Sequence, residues 1–111
     1  MTFGNIYQPK TVEVLNTNYP LKGKWNAEVF KNNYPIVLEL GCGKGEYSVG
    51  LAKHFPNKNF IGLDIKGNRI WKGAKEAFEK NMNNVIFIRT RIDFITSLFN
   101  KNEVDEMLIF I

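Results

Sequence analysis

The sequence has few of the residues that build disulfide frameworks, metal centres or membrane spans. Cys42 is its single cysteine, which excludes an internal disulfide and a multi-cysteine metal site and agrees with a reducing compartment. We interpret Cys42 as a small packing residue rather than a nucleophile. The single histidine, His54, lies near the predicted end of a helix, and we assign it no catalytic role.

Long apolar runs are also lacking. No segment approaches the roughly 20 apolar residues of a membrane-spanning helix, and the polar start of the chain lacks the pattern of a secretory signal. We therefore expect a cytoplasmic protein without a membrane partner. The net charge of +4 permits a polyanionic partner, but so small an excess also occurs in proteins that bind no nucleic acid.

The composition that remains is typical of a folded domain. Hydrophobic residues make up 44% and charged residues 23% of the 111 residues, and this length suits one modest core. Residues 1–34 are predicted to form an amino-terminal arm that ends in a short helix, because Trp25, Val29 and Phe30 have helical spacing. Residues 35–111 alternate apolar runs with amphipathic segments and form the second predicted part.

This alternation predicts a doubly wound α/β fold. Strands are expected at 36–40, 60–63, 85–88 and 107–111, and helices at 46–55, 67–80 and 94–99. Strands that are apolar on both faces and joined by helices form parallel sheets covered on both sides. The second helix carries an apolar stripe, which we expect in the core: Ile70, Trp71, Ala74, Ala77 and Phe78.

A glycine loop follows the first predicted strand, with the sequence Glu-Leu-Gly-Cys-Gly-Lys-Gly over residues 39–45. The dinucleotide fingerprint G-x-G-x-x-G would need a third glycine at Glu46, and a carboxylate there disfavours a pyrophosphate. The P-loop pattern is excluded because Lys44 is followed by Gly45 and not by serine or threonine. The pattern E-x-G-x-G-x-G remains, and the alternative is a tight turn that binds nothing.

An acidic residue, Asp64, follows the second predicted strand. At this edge of an open α/β sheet, a carboxylate can accept hydrogen bonds from both ribose hydroxyls of an adenosine. The alternative is a residue that caps the following helix.

The loop resembles the first motif of class I S-adenosylmethionine-dependent methyltransferases. The resemblance implies S-adenosylmethionine as cofactor, with Glu39 supplying negative charge near its amino-acid end and Ile65 flanking the adenine. The residues that we expect to bind this cofactor are Glu39, Gly41, Cys42, Gly43, Asp64, Ile65, Arg91 and Ile92.

From residue 35 onward the chain resembles the tRNA (guanine-N7)-methyltransferases more specifically. The pieces that match are E-x-G-x-G-K-G, F-I-G-x-D-I and the pair Asn84-Val85. The resemblance implies a Rossmann-like class I methyltransferase fold, a parallel sheet with flanking helices, and methyl transfer to N7 of a guanine in tRNA. We expect Lys44, Lys66 and Arg69 to contact tRNA phosphates, whereas Lys75 and Lys80 fit a solvated helix face equally well.

The sequence departs from this family in two places. Where the family has an acid after the third strand, this chain has Arg91, and Asp93 is a displaced substitute. The family's Phe-Pro-Asp-Pro segment, which carries the catalytic aspartate, would follow Ile111, so we expect a fold truncated after the fourth strand, with no catalytic residue in the chain and no turnover alone.

The family's strand order, 3-2-1-4, predicts the surroundings of the fourth strand. The fourth strand would be an exposed edge, and we expect self-association or a swapped pairing through residues 107–111. Alternatives to a tRNA enzyme are a class I methyltransferase of small molecules or proteins, and a non-catalytic RNA- or protein-binding module.

Overall fold

The centre of the molecule is a parallel sheet whose strand order is β1-β4-β3-β2-β5. A computed structural model describes residues 3–15 and 18–109. The strands are β1 (Ile6–Tyr7), β2 (Ile36–Leu40), β3 (Asn59–Asp64), β4 (Val85–Arg89) and β5 (Glu106–Ile109). The four strands predicted from the sequence are thus present in the order 3-2-1-4, although the last two residues of the fourth lie outside the described residues.

Helices cover both faces of this sheet. They are α1 (Thr11–Leu15), a π-helical turn (Trp25–Phe30), α2 (Glu46–His54), α3 (Gly67–Glu79), a 3-10 turn (Ile92–Phe94) and α4 (Ile95–Leu98). One apolar cluster packs α2 and α3 against the sheet, and a second packs the π-helical turn and α4 against its other face. The central strands β2, β3 and β4 are buried on both sides up to the exposed Arg89, as their mainly apolar sequences predict, whereas the edge strand β5 is largely exposed.

The arm is integrated into the fold through an edge strand that the sequence did not predict. Strand β1 pairs with β4 in parallel, and the Phe87 N–H donates a hydrogen bond to the Asn5 carbonyl at 2.9 Å. The short helix predicted at the end of the arm is present as the π-helical turn. Trp25 in this turn is fully buried, and its indole N–H donates to the Leu98 carbonyl at 2.8 Å.

Three asparagines join the arm to the amino-terminal edge of the sheet. The buried Asn59 side chain donates to the Asn26 Oδ1 at 2.8 Å and to the Asn32 Oδ1 at 2.7 Å. Their mutual hydrogen bonds satisfy amide groups that would otherwise be costly to bury. The beginning of β3 is therefore fixed to the π-helical turn and the loop after it.

The prediction for the apolar stripe of α3 was correct for Ile70, Ala74 and Ala77, which are fully buried, and wrong for Trp71 and Phe78. These two residues are 38% and 57% exposed because they lie at the margin of the stripe. They pack beside Phe3 instead, with ring centroids 5.6 and 5.1 Å from its own.

Within the described ranges, no helix is long and apolar enough to cross a membrane.

Candidate functional site

The glycine loop lies at the carboxyl edge of the sheet, between β2 and α2. Gly41, Gly43 and Gly45 have φ angles of 68°, 57° and 73°, in the left-handed region that glycine adopts without strain. The backbone N–H groups of Gly41 and Cys42 both donate to the Leu63 carbonyl, at 2.8 and 3.0 Å. These bonds fix the loop against the end of β3.

Gly41 and Gly45 allow this conformation in different surroundings. A Cβ added at Gly41 would meet no atom within 4 Å, so this backbone borders open space. A Cβ added at Gly45 would lie 2.5 Å from Cε1 of the buried Phe87 ring. Gly41 therefore leaves room for a ligand, whereas Gly45 leaves room for the core beneath the loop.

The Phe87 ring occupies a slot formed by three glycines. Added Cβ atoms at Gly45, Gly62 and Gly73 would all lie within 3.0 Å of its ring atoms. These glycines belong to the loop, to β3 and to α3, so one aromatic ring sets the spacing of three elements below the site. No local pattern in the sequence indicates this arrangement.

The Asp64 carboxylate connects the loop to the start of α3. Its Oδ2 accepts a hydrogen bond from the Gly43 N–H at 2.8 Å, and its Oδ1 accepts one from the Lys66 N–H at 3.0 Å. Asp64 is 8% exposed. A carboxylate has about four acceptor positions, so two remain after these bonds. The capping role and a ligand-binding role are therefore compatible.

Glu39 and Cys42 lie buried behind the loop. Glu39 accepts a hydrogen bond from the hydroxyl of Ser48, a residue that was not among the predicted site residues. Burial raises the pKa of Glu39, and the bond from Ser48 opposes this shift. Burial also raises the pKa of the Cys42 thiol, with further contributions from the charges of Glu39 and Asp64. A thiol of this kind is a poor nucleophile, which supports the interpretation of Cys42 as a packing residue.

A cavity of about 260 Å³ opens at this edge and is lined by Gly41, Asp64, Ile65, Thr90, Arg91, Ile92 and Asp93. Most of the residues predicted to bind a cofactor therefore share one cavity, while Glu39, Cys42 and Gly43 do not line it. Ile65 and Ile92 are about half exposed and give it apolar walls. Because most of the residues predicted to bind a cofactor line this space, we call it the cofactor cavity.

Two lining residues of the cofactor cavity extend the set of predicted site residues. Thr90 was missed, although its position directly after β4 places it at the carboxyl edge of the sheet; its N–H donates to the Asp64 carbonyl at 3.0 Å. Asp93 does line the cavity, but its carboxylate pairs with the Arg91 guanidinium at 2.9 Å. The basic residue at the position of the family's acid is thus neutralised locally.

The predicted tRNA-contacting residues surround the loop. The Arg69 guanidinium lies beside Gly43, since a Cβ added there would be 3.2 Å from its Nη2. Lys44 and Lys66 are exposed. By contrast, Lys75 lies over the Trp71 ring at 5.2 Å and Lys80 pairs with Glu76 at 2.9 Å, both on an exposed helix face.

Over residues 3–15 and 18–109, no cluster of side chains suited to a metal ion is found.

Comparison with known proteins identifies close relatives. A family model described as "Putative methyltransferase" matches residues 33–111. The tRNA (guanine-N(7)-)-methyltransferase of Christiangramia forsetii is 56% identical over 107 residues, which are 96% of this chain and 48% of that protein. The protein of the same name from Porphyromonas gingivalis is 51% identical over 110 residues, 97% of this chain and 45% of that protein. The chain spans about half the length of these curated relatives.

Solved structures confirm the predicted fold. An antibiotic-related methyltransferase superposes with a TM-score of 0.66 at 23% identity, covering 75% of this chain and 43% of that one. A 30S ribosomal A1408 methyltransferase from an uncultured bacterium gives a TM-score of 0.62 at 21% identity, covering 75% and 40%. The fold is that of class I methyltransferases. Because the family model covers well over half of its length, the chain belongs to the methyltransferase family that includes the tRNA (guanine-N7)-methyltransferases.

Proposed function

We propose that this chain is the S-adenosylmethionine-binding half of a tRNA (guanine-N7)-methyltransferase. The observation that carries the proposal is the cofactor cavity, where a left-handed glycine backbone, a buried carboxylate and two apolar side chains meet at the carboxyl ends of β2, β3 and β4. In open α/β sheets this edge is where ligands bind.

The lining residues fit the adenosine part of the cofactor. Asp64 keeps two acceptor positions for the ribose hydroxyls, and its other bonds hold it in place. Ile65 and Ile92 would flank the adenine, and the backbone at Arg91 and Ile92 would border its edge. Gly41 would let the cofactor lie directly on the loop, which Cys42 and Gly43 hold through their backbone hydrogen bonds.

Glu39 fits the cationic part of the cofactor. The residue is 4% exposed, and burial already raises the pKa of its carboxyl group. A nearby positive charge favours the ionised form, so a cation would relieve the cost of this buried charge. We assign Glu39 to the amino-acid end, with the Ser48 hydroxyl orienting its side chain.

The proposed substrate is tRNA, in agreement with the names of the relatives. Lys44, Lys66 and Arg69 would contact its phosphates beside the loop. The bound cofactor supplies an electrophilic methyl group, and N7 of guanine already has a lone pair, so positioning rather than a strong base is required. We assign no catalytic residue within the chain and expect cofactor binding without turnover, in a protein that acts in the cytoplasm.

Calorimetric titration with S-adenosylhomocysteine tests the cofactor site. Asp64→Asn should lower the affinity at least about tenfold, because hydrogen bonds to a charged acceptor contribute about 1.5–3 kcal/mol each. Asp105→Asn is the matched control, since Asp105 also accepts a backbone N–H, that of Ile36 at 2.7 Å, but at the opposite edge of the sheet. Thermal melts of both variants confirm folding. No heat from the folded wild-type chain, or equal affinities of the two variants, would contradict the proposal.

The substrate is tested separately with undermodified tRNA. Salt-sensitive tRNA binding distinguishes the proposed enzyme from a methyltransferase of small molecules. A radiolabelled methyl-transfer assay should detect no turnover from this polypeptide alone, and measurable transfer would show that the chain carries its own catalytic group.

A further inference from the structure

A second cavity, of about 250 Å³, lies next to the cofactor cavity, where the arm crosses the carboxyl end of β4. We call it the arm cavity, and its polar lining comes from Gln8, Thr11, Arg89, Thr90 and Arg91. Ile65, Thr90 and Arg91 line both cavities, so the two spaces are neighbours. None of the sequence patterns pointed to this second space.

Arg89 is held in a defined position in the arm cavity. Its Nε donates to the Ile65 carbonyl at 3.2 Å, and its Nη1 donates to the Gln8 Oε1 at 3.3 Å. A Cβ added at Gly67 would lie 2.7 Å from the Arg89 Cδ and 2.9 Å from its Nε. The glycine at the start of α3 therefore leaves the space in which this side chain lies.

The charge of Arg89 is not neutralised by a carboxylate. Among the ion pairs of residues 3–15 and 18–109, Arg91 pairs with Asp93 but Arg89 has no partner. A guanidinium carries five N–H donors, and the two hydrogen bonds above use two of them. The remaining donors form a planar fork, and this geometry suits the oxygens of a phosphate.

We propose that the arm cavity binds a backbone phosphate of the RNA substrate through Arg89, with Gln8 as a positioning residue. The proposal rests on the proposed function: a phosphate beside the cofactor cavity would come from the RNA, because S-adenosylmethionine carries no phosphate. Through strand β1, which carries Gln8 to the end of β4, the arm thus contributes to substrate binding.

RNA binding to the full chain at several salt concentrations tests this subsite, with a tRNA transcript as the probe. Arg89→Gln should weaken binding about tenfold at low salt, as expected for a charge-assisted hydrogen bond. It should also reduce the salt dependence by about one phosphate contact, a slope change of about 0.7–0.9. Lys101→Gln is the control, since it removes the same charge from an exposed residue at the opposite edge of the sheet.

Gln8→Ala keeps the charge and tests the positioning role. Its effect should be smaller than that of Arg89→Gln and should leave the salt slope unchanged, because the guanidinium stays but is less ordered. An absence of RNA binding by the wild-type chain, or equal effects of Arg89→Gln and Lys101→Gln, would overturn the proposal. Calorimetry of the wild-type chain with S-adenosylhomocysteine detects failure of the cofactor site independently of RNA binding.

The source of the phosphate is distinguished by NMR of the arginine Nε–Hε signals. A short single-stranded RNA should shift the Arg89 signal, while inorganic phosphate at the same phosphate concentration should shift it much less. An equal shift with inorganic phosphate would identify a site for a free anion and reject RNA as the ligand.

Discussion

Replacing Gly73 by alanine should disturb the glycine loop from outside the site. Gly73 lies in α3, and an added Cβ would be 2.7 Å from the Lys44 carbonyl oxygen and 3.0 Å from the Gly45 Cα. Both neighbours are backbone atoms, which have no alternative rotamer, so the loop must shift. Overpacking of this kind costs about 1–3 kcal/mol, and the higher helix propensity of alanine returns about 1 kcal/mol. We therefore expect a net destabilisation of about 0–2 kcal/mol.

Gly50→Ala is the matched control for this change. Gly50 lies in α2, and an added Cβ would meet no atom within 4 Å, so only the helix-propensity gain of up to about 1 kcal/mol applies. Urea unfolding of the two variants should then differ by about 1–3 kcal/mol, the cost of overpacking alone. Calorimetry with S-adenosylhomocysteine should show about tenfold weaker binding for Gly73→Ala, because displacement of a binding loop by a fraction of an ångström loosens its contacts.

Two results would refute this reasoning. If Gly73→Ala is stabilised as much as Gly50→Ala, the contact between α3 and the loop is not tight. If Gly73→Ala is destabilised but binds the cofactor normally, the loop position does not depend on α3, and the slot around Phe87 serves stability alone.

The remaining predictions concern the buried acid, the loop and the edge strand. Glu39→Gln should raise the melting temperature at pH 7 while weakening cofactor binding. Burial raises the pKa of Glu39, so its stabilising contribution is present below the ordinary glutamate pKa of about 4.3 and is lost as the pH rises through the pKa of the folded protein. The difference in melting temperature between variant and wild type should therefore vanish below about pH 4. Gly41→Ala should cost about 1–2 kcal/mol in urea unfolding because of its left-handed φ, and Gly45→Ala about 1–3 kcal/mol more because of the Phe87 ring; equal costs would contradict the packing. We also propose self-association through β5, whose Met107 and Ile109 are 48% and 63% exposed. Light scattering should detect this association, and Met107→Lys should abolish it. A monodisperse wild-type monomer would argue against it.

The sequence was sufficient to predict the order of the central strands and the helices between them. Apolar runs such as 36–40 and 85–88 are buried on both faces, and a short continuous apolar run bounded by turn residues is typical of such a strand. Strand β1 was missed because Ile6–Tyr7 is too short for a periodic signal and is defined by its backbone pairing with β4. Pairing between segments so distant in sequence depends on the tertiary structure.

The candidate site was predictable to a similar extent. The glycines and Asp64 lie where the motif implies, at the carboxyl edge of the sheet. The sequence could not show that Gly45 accommodates the Phe87 ring, because the reason for that glycine lies in another strand. Arg89 was missed for the same reason, since its position depends on contacts with Gln8 and Gly67.

The two backbone hydrogen bonds accepted by Asp64 have a kinetic consequence. The same carboxylate holds Gly43 and Lys66 through bonds within the chain, so we expect the loop and the start of α3 to need no folding step on binding. The observed rate of association should therefore rise linearly with ligand concentration, without the plateau that a slow conformational change would impose. Differences in affinity among ligands of this cavity should then appear mainly in how long each one stays bound.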